Sequence, residues 1–141
     1  MDQIKKILVI EDAKDWRDQI REYLEESNYK VDVADDLESA LEKMRHNIYH
    51  LITVDMQLDE NTTTANEYEG WNILDEVIKQ GKGKSIPTLV ITGFDKDYKE
   101  LKDIKKRYGT YFLPKREFDK ATFIKYVKMA TEYTELKFKT D

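Results

Sequence analysis

The chain has 141 residues, 40% of them hydrophobic and none of them cysteine, which supplies one ordinary core and excludes a disulfide scaffold or a thiolate metal site. Its 24 basic and 29 acidic residues are interleaved and leave a formal charge of −5, so there is neither a basic footprint for nucleic acid nor a polybasic membrane anchor. With no apolar stretch long enough for a signal peptide or a membrane span, the expectation is a cytoplasmic protein with no nucleic-acid or membrane partner.

The first apolar run, Ile7-Leu8-Val9-Ile10, reads as a buried strand and stops at Glu11-Asp12. Trp16, Ile20, Tyr23 and Leu24 then recur at helical spacing, with Lys14, Asp15, Arg17, Asp18, Arg21 and Glu22 on the other face. That pattern predicts an amphipathic helix ending near Ser27-Asn28. Tyr29 to Val33 alternates with period two, as an edge strand with one wetter face does. Asp35 or Asp36 can cap a helix striped by Leu37, Ala40, Leu41 and Met44. His46 and His50 flank the next turn and read as incidental. Leu51-Ile52-Thr53-Val54-Asp55 has the pattern of a parallel strand buried on both faces, and it ends in a carboxylate.

From Met56 to Glu69 the sequence loses all apolar period, and this connection is longer than an ordinary strand-to-helix loop of about 2–6 residues. Trp71, Leu74, Val77 and Ile78 form a third helical stripe, stopped by Gly81 and Gly83. Pro87 precedes the strand Thr88-Leu89-Val90-Ile91, which ends at Thr92-Gly93. The helix predicted from Lys96 to Arg107 is highly charged, and its narrow stripe of Leu101, Ile104 and Tyr108 anchors it weakly. Thr110 to Leu113 is a short fifth strand, followed by Pro114-Lys115. Asp119 can cap a last helix carrying Phe123, Ile124, Val127 and Ala130, and the residues beyond about Tyr133 read as a polar tail or an extension of that helix.

Five strand-helix alternations imply an α/β domain, a doubly wound parallel sheet with helices on both faces. Right-handed crossovers bring the carboxyl ends of all its strands to one edge, where ligands bind in open α/β sheets. That edge collects Glu11-Asp12, Asp55, Thr92 and Lys115. Close carboxylates repel by about 4 kcal/mol per pair at an effective dielectric near 20, so a positive group is required among them. An all-oxygen donor set without histidine or cysteine selects a hard cation, most readily Mg²⁺, with a partner that brings phosphate oxygens. A carboxylate beside such a cation can attack a phosphoryl group and become an aspartyl-phosphate. Lysine and threonine can bind the new charge.

Four pieces in this order, Ile7 to Asp12, Leu51 to Met56, Pro87 to Gly93 and Tyr111 to Lys115, resemble the receiver domain of the two-component response regulators. The resemblance implies a flavodoxin-like five-stranded sheet of order 2-1-3-4-5, with residues 1–133 as the receiver domain and 134–141 as the tail or helix extension. It implies Asp55 as phosphoacceptor from a histidine kinase or phosphotransfer protein, and Glu11, Asp12, Asp55 and the main-chain carbonyl of Gln57 as Mg²⁺ ligands. Lys115 would contact the phosphoryl oxygens, Thr92 would move toward them, Gly93 would let them approach the backbone, and Phe112 would follow Thr92 by changing rotamer. The expected outcome is a switch with no output domain of its own and no enzymatic role beyond its own phosphorylation and dephosphorylation. It would act on a downstream protein, with a homodimer through the face from the fourth to the fifth helix as a further possibility. The alternative is a receiver-like interaction module that works without phosphorylation. Several departures from the family pattern stand out: the long loop after Asp55 with Asp59 at a position where proline is common, Arg116 as a competitor for the lysine slot, and bulky Phe94 expected to slow dephosphorylation.

Overall fold

A computed structural model of the chain describes residues 4–55, 79, 86–92 and 111–140. Five parallel strands form one sheet of order β2-β1-β3-β4-β5: β1 (Lys6–Ile10), β2 (Lys30–Ala34), β3 (Leu51–Asp55), β4 (Thr88–Thr92) and β5 (Tyr111–Pro114). The described helices are α1 (Lys14–Glu26), α2 (Leu37–His46) and α3 (Lys120–Thr140), the last being the fifth helix expected from the sequence. A 3₁₀ turn, Lys115–Glu117, follows β5 directly. The connection from Met56 to Glu69, the helix predicted over Trp71 to Ile78, the charged helix from Lys96 to Arg107, and with them Gln57, Gly93 and Phe94, lie outside the described residues.

Period two along the strands sorts the core into two clusters, one on each face of the sheet. Ile7 and Val9 of β1 point with Leu51, Leu89, Ile91 and Leu113 toward Ile20 and Leu24 of α1 and Phe123, Val127 and Ala130 of α3. Leu8 and Ile10, with Ile52 and Val54, meet Ala34, Tyr49 and the α2 residues Ala40 and Met44 on the opposite face. The central strand β3 is buried along its whole length, as its unbroken apolar character requires. Its odd-numbered residues, Asp55 included, therefore belong to the face that α1 and α3 cover.

Local chemistry sets the element ends. Helix α1 stops because Asn28 takes the left-handed conformation at φ 69°, which asparagine tolerates better than most residues. The N–H groups of Ser27 and Tyr29 then turn back onto the Leu24 carbonyl, both at 3.1 Å. Tyr29 has thereby committed its N–H to the helix end, and β2 begins at Lys30, one residue later than the alternation predicts. Of the two aspartates available to cap α2, Asp36 does so, its Oδ1 accepting from the Ser39 N–H at 2.7 Å. Asp119 does the same for α3, accepting from the Thr122 N–H at 2.7 Å.

His50, expected to be incidental, has a structural task at the amino end of the sheet. Its N–H donates to the Lys6 carbonyl at 2.8 Å, and its Nδ1 accepts from the Lys6 N–H at 3.0 Å. The pair clips β1 to the start of β3 at the end of the sheet opposite the acidic residues.

Candidate functional site

The carboxyl edge gathers its acids because two neighbouring parallel strands end beside each other. Residues Ile7 to Ile10 pair in register with Leu51 to Val54, so Glu11 and Asp55 each follow one paired end. The Glu11 N–H donates to the Ala34 carbonyl at 3.0 Å, and its carbonyl accepts from the Arg17 guanidinium at 3.2 Å, fixing the backbone between β2 and α1. One carboxylate oxygen from each of Glu11, Asp12 and Asp55 lies within 4.8 Å of the other two. Glu11 and Asp55 are 1% and 3% exposed, while Asp12 faces solvent.

Lys115 supplies the positive charge that this cluster requires. It stands immediately after β5, and its Nζ lies 3.0 Å from Asp55 Oδ2 with the side chain only 19% exposed. Arg116, the alternative cation, is exposed. The Lys115 ammonium also sits over the Trp16 indole, 4.7 Å from the ring centroid.

One ammonium does not satisfy three carboxyls. Burial first, and then the adjacent Asp55 carboxylate, push the Glu11 carboxyl up to about 10, with Lys115 offsetting only part of the rise. Asp12 is also raised, by desolvation and by Asp55, against the lowering effect of its own and the Ala13 backbone N–H groups. Neither Glu11 Oε1 nor Oε2 has a hydrogen-bond partner. Buried polar oxygens are ordinarily paired, so two orphans on a carboxyl facing two further acids suit a hard divalent cation. The donor set fits Mg²⁺ on this ground.

Of the other residues expected at the site, Thr92 is the last residue of β4, one position beyond the Ile91 that pairs with Asp55. Phe112 lies in β5 opposite Val90 and is half-buried. Gln57 and Gly93 fall outside the described residues. Trp16, placed by its helical spacing on the apolar face of the first helix, is half-buried against the core and also lies over Lys115, for which its position one helical turn beyond Asp12, at the start of α1, is the available signal. Sequence reading overlooked Arg17, the neighbour that ties α1 to the Glu11 carbonyl.

A doubly wound sheet of order 2-1-3-4-5 with an acidic pocket and a lysine at its carboxyl edge defines a flavodoxin-like α/β domain. The chain belongs to the response regulator receiver domain family, whose model matches residues 7–128. Chemotaxis protein CheY4 of Vibrio cholerae is similar in fold, with a TM-score of 0.73 at 24% identity over 91% of this chain and 99% of that one. A CheY-like receiver domain protein of Methanospirillum hungatei JF-1 gives 0.76 at 20% identity, covering 96% and 99%. NtrX of Brucella abortus gives 0.79 at 27% identity over 98% of this chain, which spans 29% of that longer protein. An uncharacterised 14.6 kDa protein in the sodA1 3′ region of Leptolyngbya boryana is 24% identical over 105 residues, 74% of this chain and 75% of that one. Receiver domains are regulatory modules that work with kinases and downstream proteins. Among the described residues, no helix is long and apolar enough to cross a membrane.

Proposed function

We propose that this receiver domain is the phosphoacceptor of a cytoplasmic two-component phosphorelay, in which Asp55 takes a phosphoryl group from a histidine kinase or phosphotransfer protein. The observation that carries the reading is the convergence of the Glu11, Asp12 and Asp55 carboxyls with the Lys115 ammonium on Asp55. An Asp55 oxygen attacks the phosphorus of a phosphohistidine, the P–N bond breaks as the P–O bond forms, and the imidazole keeps the electron pair and regains a proton. Glu11, Asp12 and Asp55, joined as the family resemblance implies by the main-chain carbonyl of Gln57, would hold Mg²⁺, which would supply charge neutralisation at the phosphoryl oxygens. Lys115 exchanges its Asp55 contact for the new phosphoryl oxygens.

Thr92, Gly93 and Phe112 carry the response from the acyl phosphate to the surface around the fourth helix and the fifth strand, which a downstream protein reads, and a second copy would dock through the face from the fourth to the fifth helix. Residues 1–133 make up the domain, with 134–141 as a polar tail or an extension of its last helix. The reading is tested by incubating the purified chain with acetyl phosphate and Mg²⁺ and measuring the intact mass. One phosphoryl group added to the wild type, absent when chelator is present before the donor is added and absent from Asp55→Asn, is the expected result. An unchanged wild-type mass would leave the phosphorylation-independent interaction module as the better description.

A further inference from the structure

Trp16 does more at the site than fill space. The Lys115 ammonium, four carbons from its backbone, makes two contacts of opposite kind: a charge-assisted hydrogen bond to Asp55 Oδ2 at 3.0 Å and the face of the Trp16 indole at 4.7 Å. The indole is itself locked, edge-on against Phe118 with ring centroids 5.1 Å apart. Phe118 stacks on Tyr23 of α1 and touches the fully buried Phe123 of α3, at 6.1 Å and 5.1 Å. A row of rings therefore runs from the core of the sheet face to the lysine, and Phe118 is only three residues past Lys115 along the 3₁₀ turn.

We propose that Trp16 is a positioning residue for Lys115, its indole face holding the ammonium at the pocket while the anion it serves changes from the Asp55 carboxylate to an incoming phosphoryl group. This deepens the phosphoacceptor reading and rests on it. Lysine is a compact charge on a flexible stem with many rotamers, and it loses much of that freedom when it must meet an anion in one place. A fixed aromatic face attracts the cation through the ring quadrupole without competing for its N–H groups as a carboxylate does, so the lysine stays placed and remains exchangeable.

The test uses the full chain and beryllofluoride with Mg²⁺ as the phosphoryl probe, its affinity read by calorimetry. Trp16→Leu is expected to weaken beryllofluoride binding by roughly three- to thirtyfold, the span of a cation–π contact partly removed from water, whereas Trp16→Phe keeps most of the affinity. In a Lys115→Met background the same Trp16→Leu change is expected to have no further effect, which a merely structural role of the indole would not produce. A readout that needs no ligand is the emission of Trp16 in Trp71→Phe protein, expected to change on Lys115→Met. Equal losses from Trp16→Leu with and without Lys115, or Trp16 emission indifferent to Lys115, would overturn the proposal while leaving the phosphoacceptor reading intact. A wild-type chain that bound no beryllofluoride would overturn both.

Discussion

In the metal-free protein, Glu11 should work against the fold. Its carboxyl is 1% exposed, lacks a hydrogen-bond partner and lies beside Asp55. Burial and that neighbour raise it above its ordinary value of 4.5, so the folded chain holds a proton that the unfolded chain releases. The stability linked to this group is therefore complete below the unfolded value and is lost as pH rises toward the folded one. At about 1.4 kcal/mol per pH unit, the loss accumulated by neutral pH is roughly 3 kcal/mol, a large share of the ~5–15 kcal/mol that holds a domain together. Glu11→Gln keeps the shape and removes the titration. Urea unfolding followed by circular dichroism in chelator, from about pH 5 to about pH 8, should show wild-type stability falling with pH and the variant gaining on it by up to that amount. Millimolar Mg²⁺ should reverse the order, because a cation bound only by the folded state stabilises wild type and finds a weaker site in the variant. Parallel pH curves for the two proteins in chelator would refute the assignment of Glu11 as the strained, cation-seeking acid.

Three further outcomes follow from contacts away from the site. Tyr49 is 2% exposed and its hydroxyl donates to Asp32 Oδ2 at 2.6 Å, so Tyr49→Phe should cost about 1–2 kcal/mol in urea unfolding. Burial alone would raise Asp32, but the bonds from Tyr49 and Lys6 outweigh it and hold the carboxyl below its usual range. Asp32 thus supports the fold above its unfolded value and ceases to as pH falls through the lower folded one, so Tyr49→Phe should also move acid unfolding to higher pH. Asp36→Ala removes the acceptor for the Ser39 N–H and should lower stability by about 1 kcal/mol, read as a shifted urea midpoint with an unchanged slope. Phe123→Ala empties a fully buried position between α3 and the sheet and should cost about 3–5 kcal/mol, read as a lowered melting temperature.

Legibility in the sequence followed the range of the interaction. The runs Ile7 to Ile10 and Leu51 to Asp55 declared strands buried on both faces, and parallel topology alone then placed Glu11, Asp12 and Asp55 on one edge. Short-range polar signals were equally readable, since a cap at Asp36 or Asp119 needs only the next turn of the chain. The start of β2 was misread by one residue because the Tyr29 N–H serves the end of α1, a competition invisible to side-chain alternation. The pairings of His50 with Lys6 and of Tyr49 with Asp32 join residues 44 and 17 positions apart, and neither leaves a local pattern. The cation over Trp16 was illegible for a different reason. An aromatic residue at helical spacing signals burial, and Trp16 does pack against the core, so the spacing alone does not announce a cation over its ring face.

The distribution of favourable and unfavourable interactions suggests why the acids sit where they do. Both apolar clusters lie along the body of the sheet, whereas the carboxyls occupy the edge just beyond the last paired residues of β1 and at the end of β3. Strain at that edge does not disturb the strand pairing that holds the fold, so the domain tolerates acids that its own lysine only partly balances. This separation has a consequence of sign. Neutralising an acid at the edge should strengthen the metal-free fold while weakening its hold on a cation, and truncating the core should weaken the fold while leaving cation affinity per folded molecule nearly unchanged. An arrangement whose acids served stability would give the first of these with the opposite sign. On the proposed reading, the orphaned oxygens of Glu11 mark where a cation would enter rather than a defect of packing.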